Sequence, residues 1–196
     1  MRRSEWKKHY TTVLHVDPKT GKEKQVLRYI GAWHAMEPGQ RKACAIQCGL
    51  GWVLGTAAFL TAGLVPNWAS LCQYVTPWYV LCMVPLIYLL LGLITLLRLK
   101  PAAFTEIARS DSLGYIRASS WGLVILGGLW SITTAVFLLQ KQATITLVNE
   151  LIFLGAGVVT AGIGGWLLLM LKGLRLTTWT NEKEAADTAA SAEENQ

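Results

Sequence analysis

Fifty-five consecutive residues, from Ala43 to Leu97, contain no Lys, Arg, Asp or Glu, and basic residues close the block on both sides, Arg41 and Lys42 before it, Arg98 and Lys100 after it. About 20 apolar residues already span the hydrocarbon core of a bilayer, so the block is too long for one crossing and fits two with a short connection. The connection is marked by Pro66-Asn67-Trp68-Ala69-Ser70, where apolar density falls, and Pro77-Trp78 suits the first turn of the helix that follows. Two further uncharged blocks, Ala118 to Gln140 and Leu151 to Leu171, each supply one crossing. The pattern predicts an all-α membrane protein, a four-transmembrane-helix bundle with spans near 43–65, 77–97, 118–140 and 149–171, together a domain over 43–172.

Outside the bundle the periodicity changes. Tyr10 to Val16 and Glu23 to Ile30 alternate in a β-branched and aromatic register, separated by Asp17-Pro18-Lys19-Thr20-Gly21-Lys22. Asp, Pro and Gly in that order suit a type I turn with a Gly bulge, so a small β-hairpin is expected within an N-terminal segment 1–42. Two strands alone are marginal in water. The hairpin should therefore lean on the membrane surface, on the loop between spans two and three, or on another protein. Gly31 and Glu37-Pro38-Gly39 close it, with Trp33 and Met36 as interfacial anchors, and residues 1–9 read as a basic strap for anionic headgroups.

In the loop from Arg98 to Arg117, Pro101 ends the preceding helix and Thr105 caps a short one with Phe104, Ile107 and Ala108 on one side. Ser110-Asp111-Ser112 reads as a second cap, from which a helix runs directly into span three. The segment 173–196 is expected to be a disordered acidic tail, since from Asn181 onward its Ala, Glu, Ser, Asn and Gln cannot bury a core.

Composition supports the same class, because 15% of the 196 residues are charged, against about 25% in an ordinary soluble domain. The net charge of +6 raises the question of a nucleic acid, but no zinc spacing, helix-turn-helix or base-stacking pattern accompanies it, and none is expected as a partner. Distribution explains the charge better. Of the 18 Lys and Arg, 17 precede span one, lie between spans two and three, or follow span four, leaving Lys141 alone in the other loop. The positive-inside rule then predicts both termini in the cytoplasm, N-in and C-in, of a cell membrane read as the bacterial cytoplasmic one. No cleavable signal peptide is expected, since the first apolar block starts after some 40 residues. Four Cys under a reducing-side topology make no disulfide framework.

Candidate chemistry is sparse. Cys44, Cys48, Gly51, Gly55, Ala58 and Ala62 recur at spacings of three and four, so they form a file of small residues on one face of span one. Gly51, Gly55, Ala58, Gly128, Ser131, Gly157 and Ala161 are the predicted helix-packing positions. The file accounts for Cys44 and Cys48 without a thiol pair for redox or metal chemistry. Pro85 near the middle of span two predicts a kink. Thr56, Tyr88, Trp130, Ser131 and Thr134 are the polar and aromatic groups near the midplane that a ligand would contact. Judged by the uncharged blocks, which leave Glu150 to the loop Lys141 to Glu150 although the outer bound of 149 takes it in, no span is expected to hold an ionisable residue, the usual mark of proton or ion movement. His9, His15 and His34 all precede span one, and neither the spacing of His9 and His15 nor His34-x-x-Glu37 makes a metal site.

The expectation is a non-catalytic integral membrane protein, an accessory, regulatory or scaffold subunit acting through its cytoplasmic hairpin and the loop 98–117. It would have no cofactor and no metal. Its partners would be the lipid bilayer and a membrane or cytoplasmic protein, or further copies of itself. A small membrane transporter or lipid-binding carrier, using the midplane groups, is the alternative.

Overall fold

A computed structural model describes residues 10–16, 23–37, 39–99, 104–140 and 147–179. The basic strap 1–9, the turn 17–22, Pro101 and the acidic residues after 180 lie outside the described residues, as does most of the loop that begins at Lys141. In chain order the elements are strands β1 (Tyr10–Val16), β2 (Glu23–Tyr29) and β3 (Trp33–Met36), then helices α1 (Gln40–Leu64), α2 (Thr76–Leu81) and α3 (Met83–Arg98). There follow β4 (Phe104–Thr105), α4 (Glu106–Arg109), α5 (Tyr115–Gln140), α6 (Leu147–Lys172) and β5 (Leu176–Trp179).

Four helical stretches, Gln40–Leu64, Thr76–Arg98, Glu106–Gln140 and Leu147–Lys172, are long and apolar enough to cross a membrane. Their outer surfaces carry exposed Ile46, Leu50, Leu60, Ile125, Val158 and Leu169 among many others, a belt that water would not tolerate on a monomer. The third stretch starts twelve residues before the uncharged block that predicts it, and the others extend past theirs by one to four. The second is broken at Cys82, where α2 meets α3, three residues before Pro85, whose ring and missing N–H interrupt the preceding turn. The third contains a wide π-type turn at Ser110–Gly114 where a second cap was expected. There the Ser112 hydroxyl donates back to the Ala108 carbonyl (2.8 Å), and the helix runs on without restarting.

β1 and β2 pair antiparallel, from Tyr10 opposite Tyr29 to Val16 opposite Glu23. Trp33 and Met36, expected as anchors, are the two ends of β3, the central strand of a second sheet. Its neighbours are β4 from the loop between the second and third long helices and β5 from beyond the fourth. Leu176–Trp179 therefore departs from the expected disordered tail, because two β-branched threonines between Leu176 and Trp179 suit a strand and the edge of β3 is within reach. This sheet also fixes a common end, since the segments before the first, after the second and after the fourth long helix all meet there. Gly39 joins β3 to α1 at φ 95°, a backbone region that other residues enter only with strain.

In the bundle α5 and α6 make the most intimate pair, α1 packs on α6 and α3, and α3 on α5. A Cβ added at Gly127 would lie 2.8 Å from the Ala161 nitrogen, and one at Gly164 would lie 2.6 Å from the Ser120 carbonyl oxygen, so backbone touches backbone along this seam. Gly157 is nearly as tight against Ser131 and Trp130. Gly128 has open space around its missing side chain, and the contact belongs to its neighbour Gly127. Gly51 and Gly55 admit Ile163, with Leu167 against the first and Leu86 against the second, while Ala58 packs beside the aromatic cluster at the far end. Two apolar cores result. One, around Cys48, Leu89, Leu123 and Leu167, reaches down to Met36 and Phe104 of the sheet, and the other gathers Ala62, Val75, Trp130 and Phe153 at the far end.

Glycines on α6 that look alike in sequence should thus differ in effect. Gly164→Ala is expected to cost about 1–3 kcal/mol, because backbone must move to admit the methyl, whereas Gly165→Ala, with nothing within 4 Å of its Cβ position, should change stability by less than about 0.5 kcal/mol. Thermal unfolding of the two variants in detergent checks this directly.

Candidate functional site at the common end

Strand alternation decides which side chains of β3 face inward, and His34 and Met36 are the buried pair. The His34 ring is held from both sides. Its Nδ1 lies 3.0 Å from the Thr178 hydroxyl on β5, and its Nε2 pairs with Oε2 of Glu106, the first residue of α4. The same carboxylate oxygen accepts from Arg109 Nη1 at 3.2 Å. Thr105 accepts from the Ala108 amide (3.3 Å) and so starts α4 with Glu106 in its first turn, where a carboxylate also suits the helix dipole.

A second hydroxyl ties this centre to the hairpin. The Glu106 amide donates to the Tyr29 phenol oxygen (3.0 Å), and the phenol donates to the Ala32 carbonyl (3.0 Å). Burial raises the Tyr29 pKa above its ordinary value; the Glu106 carboxylate also pushes it up, and the hydrogen bond from the Glu106 backbone pulls it down. Tyr29 stands edge-on to both Tyr10 and Trp33, with ring centroids 5.3 Å apart in each case. Phe104 covers the other side of His34.

Hydroxyl, imidazole and carboxylate in a chain is the order that activates nucleophiles in hydrolases. The groove of about 720 Å³ that borders Glu106 is lined by neither His34 nor Thr178. What the geometry supplies is a clamp: three chain segments far apart in sequence converge on one imidazole. His34, considered in the sequence with Glu37, thus lies on a strand and pairs with Glu106 instead. Glu37 is exposed and accepts from the Gln40 side chain (2.7 Å). Among the described residues no group of three or more His, Cys, Asp or Glu gathers to hold a metal ion.

The midplane residues do not converge. Ser131 and Thr134 donate to the Gly127 and Trp130 carbonyls of their own helix, at 2.8 Å each. Tyr88 is on the outer surface, edge-on to Tyr115. Trp130 is fully buried against Tyr79 and Phe153, and among the described residues its Nε1, like the hydroxyl of Thr56, has no hydrogen-bond partner. Cys44 and Cys48 are buried, and all four cysteines are free thiols.

Glu150 is a correction. α6 begins at Leu147, so Glu150 sits in its first turn, fully buried, and a span does carry an ionisable residue. Its carboxylate accepts from the amides of Trp68 (2.6 Å) and Ala69 (3.3 Å), which open the short turn Ala69–Leu71 between α1 and α2. Asn149 beside it donates to the Pro66 carbonyl (2.9 Å). Nothing in the spacing of Asn149-Glu150 singles them out, because the partners are backbone groups some 80 residues away.

Fold and sites together define a class: among the described residues, four helices long and apolar enough to cross a membrane, with a small sheet at one end of them. Comparison with known proteins takes this no further: no family model, no curated protein and no solved structure matches the chain.

Two substitutions measure the polar centres. Glu106→Ala leaves a buried imidazole nitrogen unpaired, a loss of about 1–3 kcal/mol; amide hydrogen exchange at 33–36 and 176–179 should quicken about tenfold or more while the helices stay protected. Glu150→Ala should lower stability by about 2–3 kcal/mol and Glu150→Gln by less than half of that, since the amide keeps one acceptor oxygen for Trp68; equal losses would mean that charge rather than hydrogen bonding matters.

Proposed function

We propose that this protein is a non-catalytic membrane adaptor, in which the four-helix bundle anchors a cytoplasmic platform and the β1–β2 hairpin is offered to a second protein. The observation that carries this reading is the contrast between the two sheets. The platform β4-β3-β5 is drawn from three segments and locked on His34, whereas among the described residues β1 and β2 pair with each other alone. One edge of each strand thus lies outside the β1–β2 ladder, the arrangement by which a partner strand adds to a sheet. Tyr29 and Trp33 hold the hairpin against the platform, so the edge is displayed at a set orientation.

The basic end is cytoplasmic in this reading, on the strength of the 17 Lys and Arg on that side, and the membrane is the bacterial cytoplasmic one. A second reading, a small transporter or lipid-binding carrier, draws on the unpartnered Thr56 hydroxyl and Trp130 Nε1 inside the bundle. Saturable uptake into reconstituted vesicles, lost in Thr56→Val with Trp130→Phe, would favour it over the adaptor.

A photo-crosslinker placed at the exposed Thr12 or Gln25 in native membranes tests the adaptor. One discrete protein adduct is expected. With the crosslinker kept at its position, the adduct should vanish when the rest of 10–29 is replaced by Gly and Ser, with thermal unfolding of the bundle unchanged; no adduct, or one indifferent to that replacement, counts against the reading.

A further inference from the structure

Beside the clamp, the beginning of α5 and the end of α6 diverge around the groove of about 720 Å³, within the size range of ligand sites. Its mouth carries Arg109, Arg117 and Lys172 against one carboxylate, Glu106, which is already engaged by His34 and Arg109. Among the described residues neither Arg117 nor Lys172 has an ion-pair partner. One turn further along α5 lies Trp121, and one turn back along α6 lie Leu168 and Leu169, both sets lining the same groove. A helical turn is about 5.4 Å, so charge gives way to apolar wall within the depth of a headgroup. Gly165 lines the wall with nothing within 4 Å of where a side chain would begin, which keeps the slot open. The wide turn Ser110–Gly114 forms part of the rim, and turns of this kind recur at functional sites.

We propose that this groove binds one anionic phospholipid of the adjoining leaflet. Its phosphate lies between Arg117 and Lys172, and an acyl chain runs along Trp121, Leu168 and Leu169. Charge complementarity selects the headgroup: two unpaired cations at one mouth match a lipid with net negative charge, and a zwitterionic headgroup brings its own cation against them. The apolar wall selects a lipid over a soluble phosphate, because a free anion would leave that wall uncovered. The site is independent of the hairpin and requires only that the bundle lie in a bilayer.

Native mass spectrometry of the full chain, with phosphatidylglycerol and phosphatidylcholine of identical acyl chains, reads the preference. The unmodified protein should retain phosphatidylglycerol preferentially. Arg117→Gln with Lys172→Gln should weaken that retention on the order of tenfold or more, with phosphatidylcholine unaffected. Lys42→Gln with Arg98→Gln removes the same charge from the same end outside the groove and should change it less than about twofold. Gly165→Leu fills the slot with every charge in place and should abolish the preference while unfolding stays cooperative. The proposal is overturned if the two lipids are retained alike, if the control pair weakens retention as much as the groove pair, or if Gly165→Leu binds normally. Displacement of the lipid by glycerol phosphate at equal concentration would assign the site to a soluble anion and overturn it as well.

Discussion

The architecture depends on the close approach of α5 and α6. Lipid tails are as apolar as Leu, so helices in a bilayer gain little from hiding apolar surface from each other, and contact at backbone distance must supply the attraction. Gly127, Gly157 and Gly164 permit that distance. The seam sets everything beside it: it brings the start of α5 next to the end of α6, and at the other end it carries Glu150 toward the turn after α1. The glycines of the remaining helices, Gly51, Gly55 and Gly92, seat α1 and α3 on this pair.

Where the helices stop, polar groups take over. Backbone N–H and C=O groups near a bilayer need partners inside the protein, and each end of the bundle provides them with side chains. Glu150 satisfies two amides of one loop, and Arg41 donates to the Leu97 and Leu99 carbonyls (3.4 and 2.6 Å) where α3 runs out. Thr95 lies 2.9–3.1 Å from the carbonyls of Leu91, Gly92 and Asp111, the last within the wide turn. His34 and Glu106 do the same for the sheet with side chains alone. Polar chemistry is thus concentrated at the two ends, while the middle is held by fit.

The long helices and the hairpin strands were legible because their signals are local: uncharged blocks of spanning length, and alternation over seven residues between turn formers. The β4-β3-β5 sheet was not legible. Phe104–Thr105 is two residues long, Leu176–Trp179 lies next to a tail of disordered composition, and a strand that depends on partners from three loops leaves little periodicity of its own. His34 failed for the same reason, since its partners are 72 and 144 residues away. Glu150 was misassigned by drawing the span from the first uncharged residue, although a carboxylate in the first turn of a helix is where the dipole favours one. Gly128 and Gly127 are equivalent by composition, and only the rotation of α5 about its axis separates them.

The order of strands in the platform sets a condition on biosynthesis. β3 leaves the ribosome before any of the four long helices exists, and its two neighbours follow the second and the fourth. The central strand therefore waits, with one edge open until the hairpin of α1 to α3 is in place and the other until nearly the last described residue is made. Were the four long helices to cross a bilayer, a chain that inserted one too few would leave β5 on the far side from His34, and the imidazole without its threonine. Closure of this sheet would then report that the number of crossings is even and that β5 has returned to the side of β3.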